Sequence, residues 1–169
     1  MQYIEEHVEG FRVIRVEVKV DRAVYCGQTI KKMRDEHGWD SSAVKESAVK
    51  IIPYTERVGE ETVSFIFFTN GQGLRLENIQ RARKILKLSP DAQAQAVANQ
   101  NDPRFSEEHV NGYAYKGPDD FLYRLIFYGQ TNGLPGNSIF CQPSQKLEWP
   151  TEMWYGGREI TPAKLRPDE

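Results

Sequence analysis

Histidine and cysteine are scarce, at 3 and 2 of 169 residues, and the scarcity excludes most chemistry that these side chains perform. His7, His37 and His109 stand far apart, and no pair has metal-ligand spacing. Glu107-Glu108-His109 is not a zinc motif. Cys26 and Cys141 are distant from each other, and in a chain without a secretion signal such thiols are expected to be reduced. No metal and no cofactor is therefore expected. A strong charge of one sign is also lacking. The 22 basic and 24 acidic residues leave a net charge of -2, so no chain-wide field attracts nucleic acid, and any such binding must rest on a local patch. Long apolar runs are missing too. None approaches the ~20 residues of a membrane span, so no membrane association is expected. The acidic start Met1-Gln2-Tyr3-Ile4-Glu5-Glu6 lacks the basic stretch and apolar core of a signal peptide, and the expected location is the cytoplasm.

The 39% of hydrophobic and 27% of charged residues are ordinary for a globular chain. The length suits one domain of ordinary size, and we expect a single α+β domain over residues 1–169. In residues 11–20, Ile14, Val16, Val18 and Val20 alternate with Arg15, Glu17 and Lys19, which predicts a half-buried strand. A short strand is expected at residues 23–26. Thr29 can cap a helix ending at Gly38, and Asp40 a second one with Val44, Ala48 and Ile51 on its stripe. Residues 63–68, apolar on both faces, predict a central strand. Residues 76–88 return to helical period, with Leu76, Ile79, Ala82 and Leu86 inward and Glu77, Arg81 and Lys84 outward. Ser89-Pro90 is expected to open an Ala/Gln-rich surface helix reaching about Asn99. Residues 121–128 predict another central strand, returning as a hairpin through residues 138–141. Phe65, Phe67, Leu125 and Phe127 are expected in the core on adjacent or near-adjacent strands. Pro143, Pro150, Pro162 and Pro167 punctuate the rest, predicting an irregular tail over residues 142–169 that runs along the surface. Strands and helices without regular βαβ alternation indicate the α+β class, with a mixed or antiparallel sheet.

Val24-Tyr25-Cys26-Gly27-Gln28-Thr29, followed by Lys31, Lys32, Arg34 and His37, resembles the second half of the GIY-YIG nuclease signature. The resemblance implies a strand bearing Tyr25, a helix carrying Arg34 and a metal-binding glutamate further on. The first tyrosine motif has no counterpart, since the preceding strand reads Val13-Ile14-Arg15-Val16. Residues 30–44 resemble the opening of a Cro/repressor-type helix-turn-helix, in which a basic helix ends at a glycine and a capped helix follows. The recognition helix that would read bases has no counterpart before Pro53. Asn70-Gly71-Gln72-Gly73, between a strand and a helix, lacks the further glycine of a dinucleotide loop, because Leu76 stands there. Gly71-Gln72-Gly73-Leu74 resembles the acetyl-CoA loop of acetyltransferases, but the flanking pattern does not continue. A plain strand-to-helix turn is the expectation. No Gly-x-Ser-x-Gly elbow and no nucleophile–base set is present.

Two segments have the composition of binding surfaces. Arg75, Arg81, Arg83, Lys84 and Lys87 face only Glu77 in the helix at residues 75–88, which makes either a solvated face or a surface for an anionic partner. Trp154, Tyr155 and Arg158 are residue types that anchor interfaces, although Trp149 and Trp154 can equally pin the tail onto the body. The function expected is non-catalytic binding, by an inhibitor or adaptor whose partner is a protein or nucleoprotein complex. A small metal-dependent nuclease built on Tyr25 and Arg34, or a DNA-binding regulator, is the alternative.

Overall fold

Alternating branched residues along residues 11–20 produce strand β2 (Phe11–Asp21), with Ile14, Val18 and Val20 buried between exposed Arg15, Glu17 and Lys19. The computed structural model describes residues 3–54, 59–129, 136–144 and 152–160. Strand β1 (Glu5–Val8) folds back on β2, and β4 (Glu60–Thr69) pairs along its other edge. With β9 (Tyr155–Glu159) and the short β5 (Leu88–Ser89), these form an antiparallel sheet in the order β1-β2-β4-β9-β5. The fold is α+β.

The second sheet, ordered β3-β8-β7-β6, is mixed. Its strands β6 (Asn111–Lys116), β7 (Leu122–Gly129) and β8 (Asn137–Pro143) are antiparallel, and β3 (Asp40–Val44) joins β8 in parallel. The hairpin of β7 and β8 agrees with the sequence expectation, while residues 130–135 of its turn lie outside the described residues. The two sheets meet where Trp154 bonds backbone to backbone with Val110 and Gly112.

β4 is apolar on both faces because both are covered. Phe65 and Phe67 pack toward helix α4 (Ala92–Asn101) and Phe105 of α5 (Pro103–Glu108), and Ile66 and Phe68 toward α3 (Leu76–Leu86). Leu125 and Phe127 are also buried, but they lie in the other sheet beneath α1 (Cys26–His37). The four core residues are therefore split between two sheets and are not on adjacent strands.

Other expectations are corrected. Residues 23–26 are not a strand. Asp21 accepts from the amides of Ala23 and Val24, closing a turn, and α1 starts at Cys26 with Gln28 Oε1 accepting from Tyr25 N. The left-handed Gly38 (φ 71°) ends α1 as expected. No helix begins at Asp40. Its carboxylate accepts from Ser42 N, a local bond that serves a turn as well as a cap. The backbone then pairs with β8, and only the short α2 (Glu46–Val49) is helical.

The Ala/Gln-rich helix α4 is not a surface helix; nearly all of it is buried. Asp91, rather than Ser89, caps it. Its alanines let it lie close to its neighbours on opposite sides, Ala92 and Ala96 in the core under the second sheet, Ala94 and Ala98 against the first. Its buried amides donate inside, although Gln95 Oε1 has no hydrogen-bond partner among the described residues. Gln95 and Asn99 both donate to Asn111 Oδ1 at 3.0 and 2.9 Å, and Gln93 donates to Asp21 O at 2.7 Å. Nor is the tail simply a surface segment. Residues 142–143 belong to β8, and β9 is an interior strand of the first sheet. Trp149, Pro150, Pro162 and Pro167 lie outside the described residues. Among the described residues no helix is long and apolar enough to cross a membrane.

Candidate binding surfaces around helix α3

Helix α3 separates the basic residues into two sets. Ile79, Ala82 and Arg83 face the protein, so the helix lies on the first sheet with that stripe inward. Arg81 and Lys84 are exposed on the opposite side, and Lys87 is exposed at the C-cap in a left-handed conformation (φ 58°). Among the described residues none of these three has a carboxylate within ion-pair distance. Elsewhere on the surface Arg12 pairs with Glu5, Arg15 with Glu159, Lys19 with Glu60 and Arg34 with Asp35. Arg81 and Lys84 thus stand unpaired among the described residues on the outer face of α3, with Glu77 exposed one turn before Arg81.

Arg83 does not belong to that face. It is 4% exposed, its Nε donates to Gly156 O at 2.9 Å, and its guanidinium lies 5.6 Å from the ring of Tyr113. Nη2 is buried without a hydrogen-bond partner among the described residues. Burial lowers its affinity for a proton, with Tyr113 opposing the effect. Its charge is therefore held in place by a carbonyl and a ring rather than by an acid.

Arg83 lines a groove of about 870 Å³ between α3 and the β6–β7 edge. Tyr113 and Tyr115 from β6, with Leu76 and Leu122, give it apolar walls, and its charged lining also holds Arg75 and Lys116 against Glu77 and Asp120. Phe121, expected in a strand core, is instead 61% exposed and also lines the groove. The turn Gly117–Asp120 that precedes it is closed by bonds from Asp120 N to Gly117 O and from Gly117 N to Phe121 O. Of the sequence-derived candidates, Arg75 and Arg83 come together here. Tyr113 and Tyr115 alternate around Ala114, a strand signal present in the sequence.

Trp154, Tyr155 and Arg158 form no exposed loop, which corrects that expectation. Trp154 is 5% exposed, with the Arg12 guanidinium 5.3 Å from its ring. Tyr155 is 1% exposed; its hydroxyl accepts from Leu74 N at 3.0 Å, and burial pushes its phenol up to about 12. Arg158 is half-buried and ion-paired to Glu61 at 3.0 Å. It shares a smaller cleft, about 340 Å³, with Lys87, where Glu61 and Glu159 balance the charge.

The segment resembling a nuclease signature has its own cleft, about 280 Å³, lined by Tyr25, Lys31, Arg34, Glu46 and Lys50. Tyr25 caps α1 rather than riding a strand, which departs from what the resemblance implies. The helix-turn-helix reading fails at its second helix, because Asp40–Val44 is β3. Gly71-Gln72-Gly73 forms bends before α3, with Gly71 at φ 78°. Among the described residues no cluster of three His, Cys, Asp or Glu side chains can hold a metal. Cys26 and Cys141 are separate buried thiols; burial pushes both up, Cys141 to about 11. Comparison with protein-family models, with curated proteins and with solved structures finds no match.

Proposed function

We propose that this is a non-catalytic binding protein, a cytoplasmic inhibitor or adaptor, that docks the anionic surface of a protein or nucleoprotein partner onto the outer face of α3. The observation that supports the reading is the set of exposed cations Arg81, Lys84 and Lys87 on one helix, none of them within ion-pair distance of a carboxylate among the described residues. Such a face raises the encounter rate with an acidic surface and loses that advantage as salt rises. Exposed charges contribute little to folding, so their reversal separates binding from stability. The test is capture of the partner with the wild-type chain, followed by calorimetry of the Arg81→Glu/Lys84→Glu variant at two salt concentrations. Weaker binding at unchanged melting temperature supports the reading, and wild-type affinity at both salts ends it. If the partner surface is duplex DNA, three neutralised phosphates give a log–log salt slope near about -2.7.

A second reading, a small metal-dependent nuclease, is favoured by the cleft that gathers Tyr25, Arg34 and Glu46. There Arg34 Nη1 lies 3.9 Å from Glu46 Oε1. Incubation of plasmid and RNA with magnesium or manganese tests it. Cleavage that Tyr25→Phe abolishes would support this reading over the first.

A further inference from the structure

We propose that the groove between α3 and the β6–β7 edge is a small-molecule site in which Arg83 holds an oxyanion, a carboxylate or a phosphate, carried on a ligand with an aromatic or apolar body. This site is independent of the outer face of α3, because neither Arg81 nor Lys84 lines the groove.

Three features converge on it. The first is the state of Arg83. A guanidinium does not shed its proton in a protein, so a buried one stays charged and needs an answering group. Among the described residues no acid answers it, and Nη2 has no acceptor at all. Native structures rarely leave a buried polar group in that condition without a ligand, ion or water to meet it. The second is preorganisation. The Nε bond to Gly156 O and the Tyr113 ring set the plane of the guanidinium before any ligand arrives. With Nε taken and Nη2 enclosed, Nη1 is the guanidinium nitrogen left for the ligand, a charged donor that suits an oxyanion. Ordering lost on binding is correspondingly small.

The third is the shape and lining of the groove. A volume of about 870 Å³ lies within the range of small-ligand sites, roughly 300–1,000 Å³, and far exceeds what a single water or chloride fills. Tyr113, Tyr115, Leu76 and Leu122 offer contact to an apolar body, and among the charged lining residues the cations Arg75, Arg83 and Lys116 outnumber the acids Glu77 and Asp120. An uncharged ligand of the same shape would leave the Arg83 charge unanswered.

Calorimetric titration of the full chain with benzoate, phenyl phosphate, inorganic phosphate and benzyl alcohol tests the assignment. We expect benzoate or phenyl phosphate to saturate one site, and benzyl alcohol to bind much more weakly. Which of the two aromatic anions binds tighter tells carboxylate from phosphate; inorganic phosphate measures the headgroup alone. Arg83→Met should weaken the better probe by about 10- to 100-fold, the effect of deleting a charged hydrogen-bond donor. Arg81→Glu/Lys84→Glu should leave probe binding as in the wild type, so failure of the partner reading and failure of this one are separate results. Absence of saturation by either aromatic anion up to about 10 mM overturns the proposal, since fragments of this size bind preformed sites within that range. Unchanged affinity in Arg83→Met overturns it as well. Should that variant not fold, the side-chain nitrogen resonances of Arg83 in the wild type decide: they shift on titration if the site is real, and stay fixed if it is not.

Discussion

Arg22 holds Asp91 through two parallel hydrogen bonds, Nη1 to Oδ1 at 3.0 Å and Nη2 to Oδ2 at 2.7 Å, with both side chains buried. The same guanidinium reaches Glu61 through Nε at 2.9 Å, and the same carboxylate caps α4 by accepting from Ala94 N. One ion pair thus ties the end of β2 to the start of the buried helix. Removing a single member leaves the other charge buried and unanswered. Arg22→Met should therefore destabilise the fold by about 3–5 kcal/mol, measured by urea denaturation. A loss below about 1 kcal/mol, the range of surface pairs, would mean that water reaches the pair in solution.

Phe67 is enclosed by Phe65 and Phe105, with ring centroids at 4.8 and 4.3 Å. Phe67→Ala should cost about 3–5 kcal/mol, the sum of lost burial and an incompletely collapsed cavity. A melting temperature equal to the wild type would contradict its place between β4 and α5.

Gly156 has no room for a side chain. A Cβ there would stand 2.5 Å from Cε1 of Phe65 and closer still to Cζ. Gly156→Ala should destabilise by about 1–3 kcal/mol through overpacking. Because Gly156 O is the anchor of Arg83, the same variant should also weaken whatever the groove binds, beyond its effect on stability. A variant as stable as the wild type, with unaltered binding of benzoate and phenyl phosphate, would show that β9 shifts freely at this position.

His109 stacks on Phe105 at 4.6 Å, and its Nδ1 is buried without a hydrogen-bond partner among the described residues. Burial lowers its proton affinity below the ordinary value of 6.5. The unfolded chain then takes up a proton near pH 6.5 that the folded chain does not accept until lower pH. Stability should accordingly fall as pH drops below about 6.5, down to the folded-state value. Melting temperatures between pH 7.5 and about 5 should decline less steeply in His109→Phe. Parallel curves for the two proteins would place the pH dependence elsewhere.

Local patterns were legible where one face of an element meets water. Val and Ile alternate in β2, the Ile79–Ala82 stripe turns α3 inward, and Gly38 stops α1, each because the side chain or backbone requirement is local. Elements whose fate depends on neighbours were not. Asp40–Val44 has a helix cap and a helical stripe, yet the free edge of β8 claims it. Helix α4 has too little apolar surface of its own to announce burial; it is interior because two layers close over small alanines, and because Asn111 and Asp21 accept hydrogen bonds from its amides. Arg83 stands two residues from Arg81 and one from Lys84 in sequence, and only the rotation of α3 against β9 and β6 separates their roles. Net charge pointed to α3 as the basic element without revealing that one of its cations is buried. The aromatic tail residues were conspicuous, but composition cannot tell an interface anchor from a strand that fills the middle of a sheet.

That strand sets the order in which the molecule can be assembled. β9 is translated after every other described strand, yet it lies between β4 and β5 and joins them. Until residue 159 has left the ribosome, the edge of β4 that carries Phe65 to Phe68 has no partner, Arg83 has no Gly156 carbonyl to hold, and the first sheet stands open. The emerging chain therefore carries a long apolar strand edge, the kind of surface that recruits other chains and chaperones. Its closure is a long-range event, so the first sheet is completed only after all of its other described strands have been made, whatever local structure has formed before.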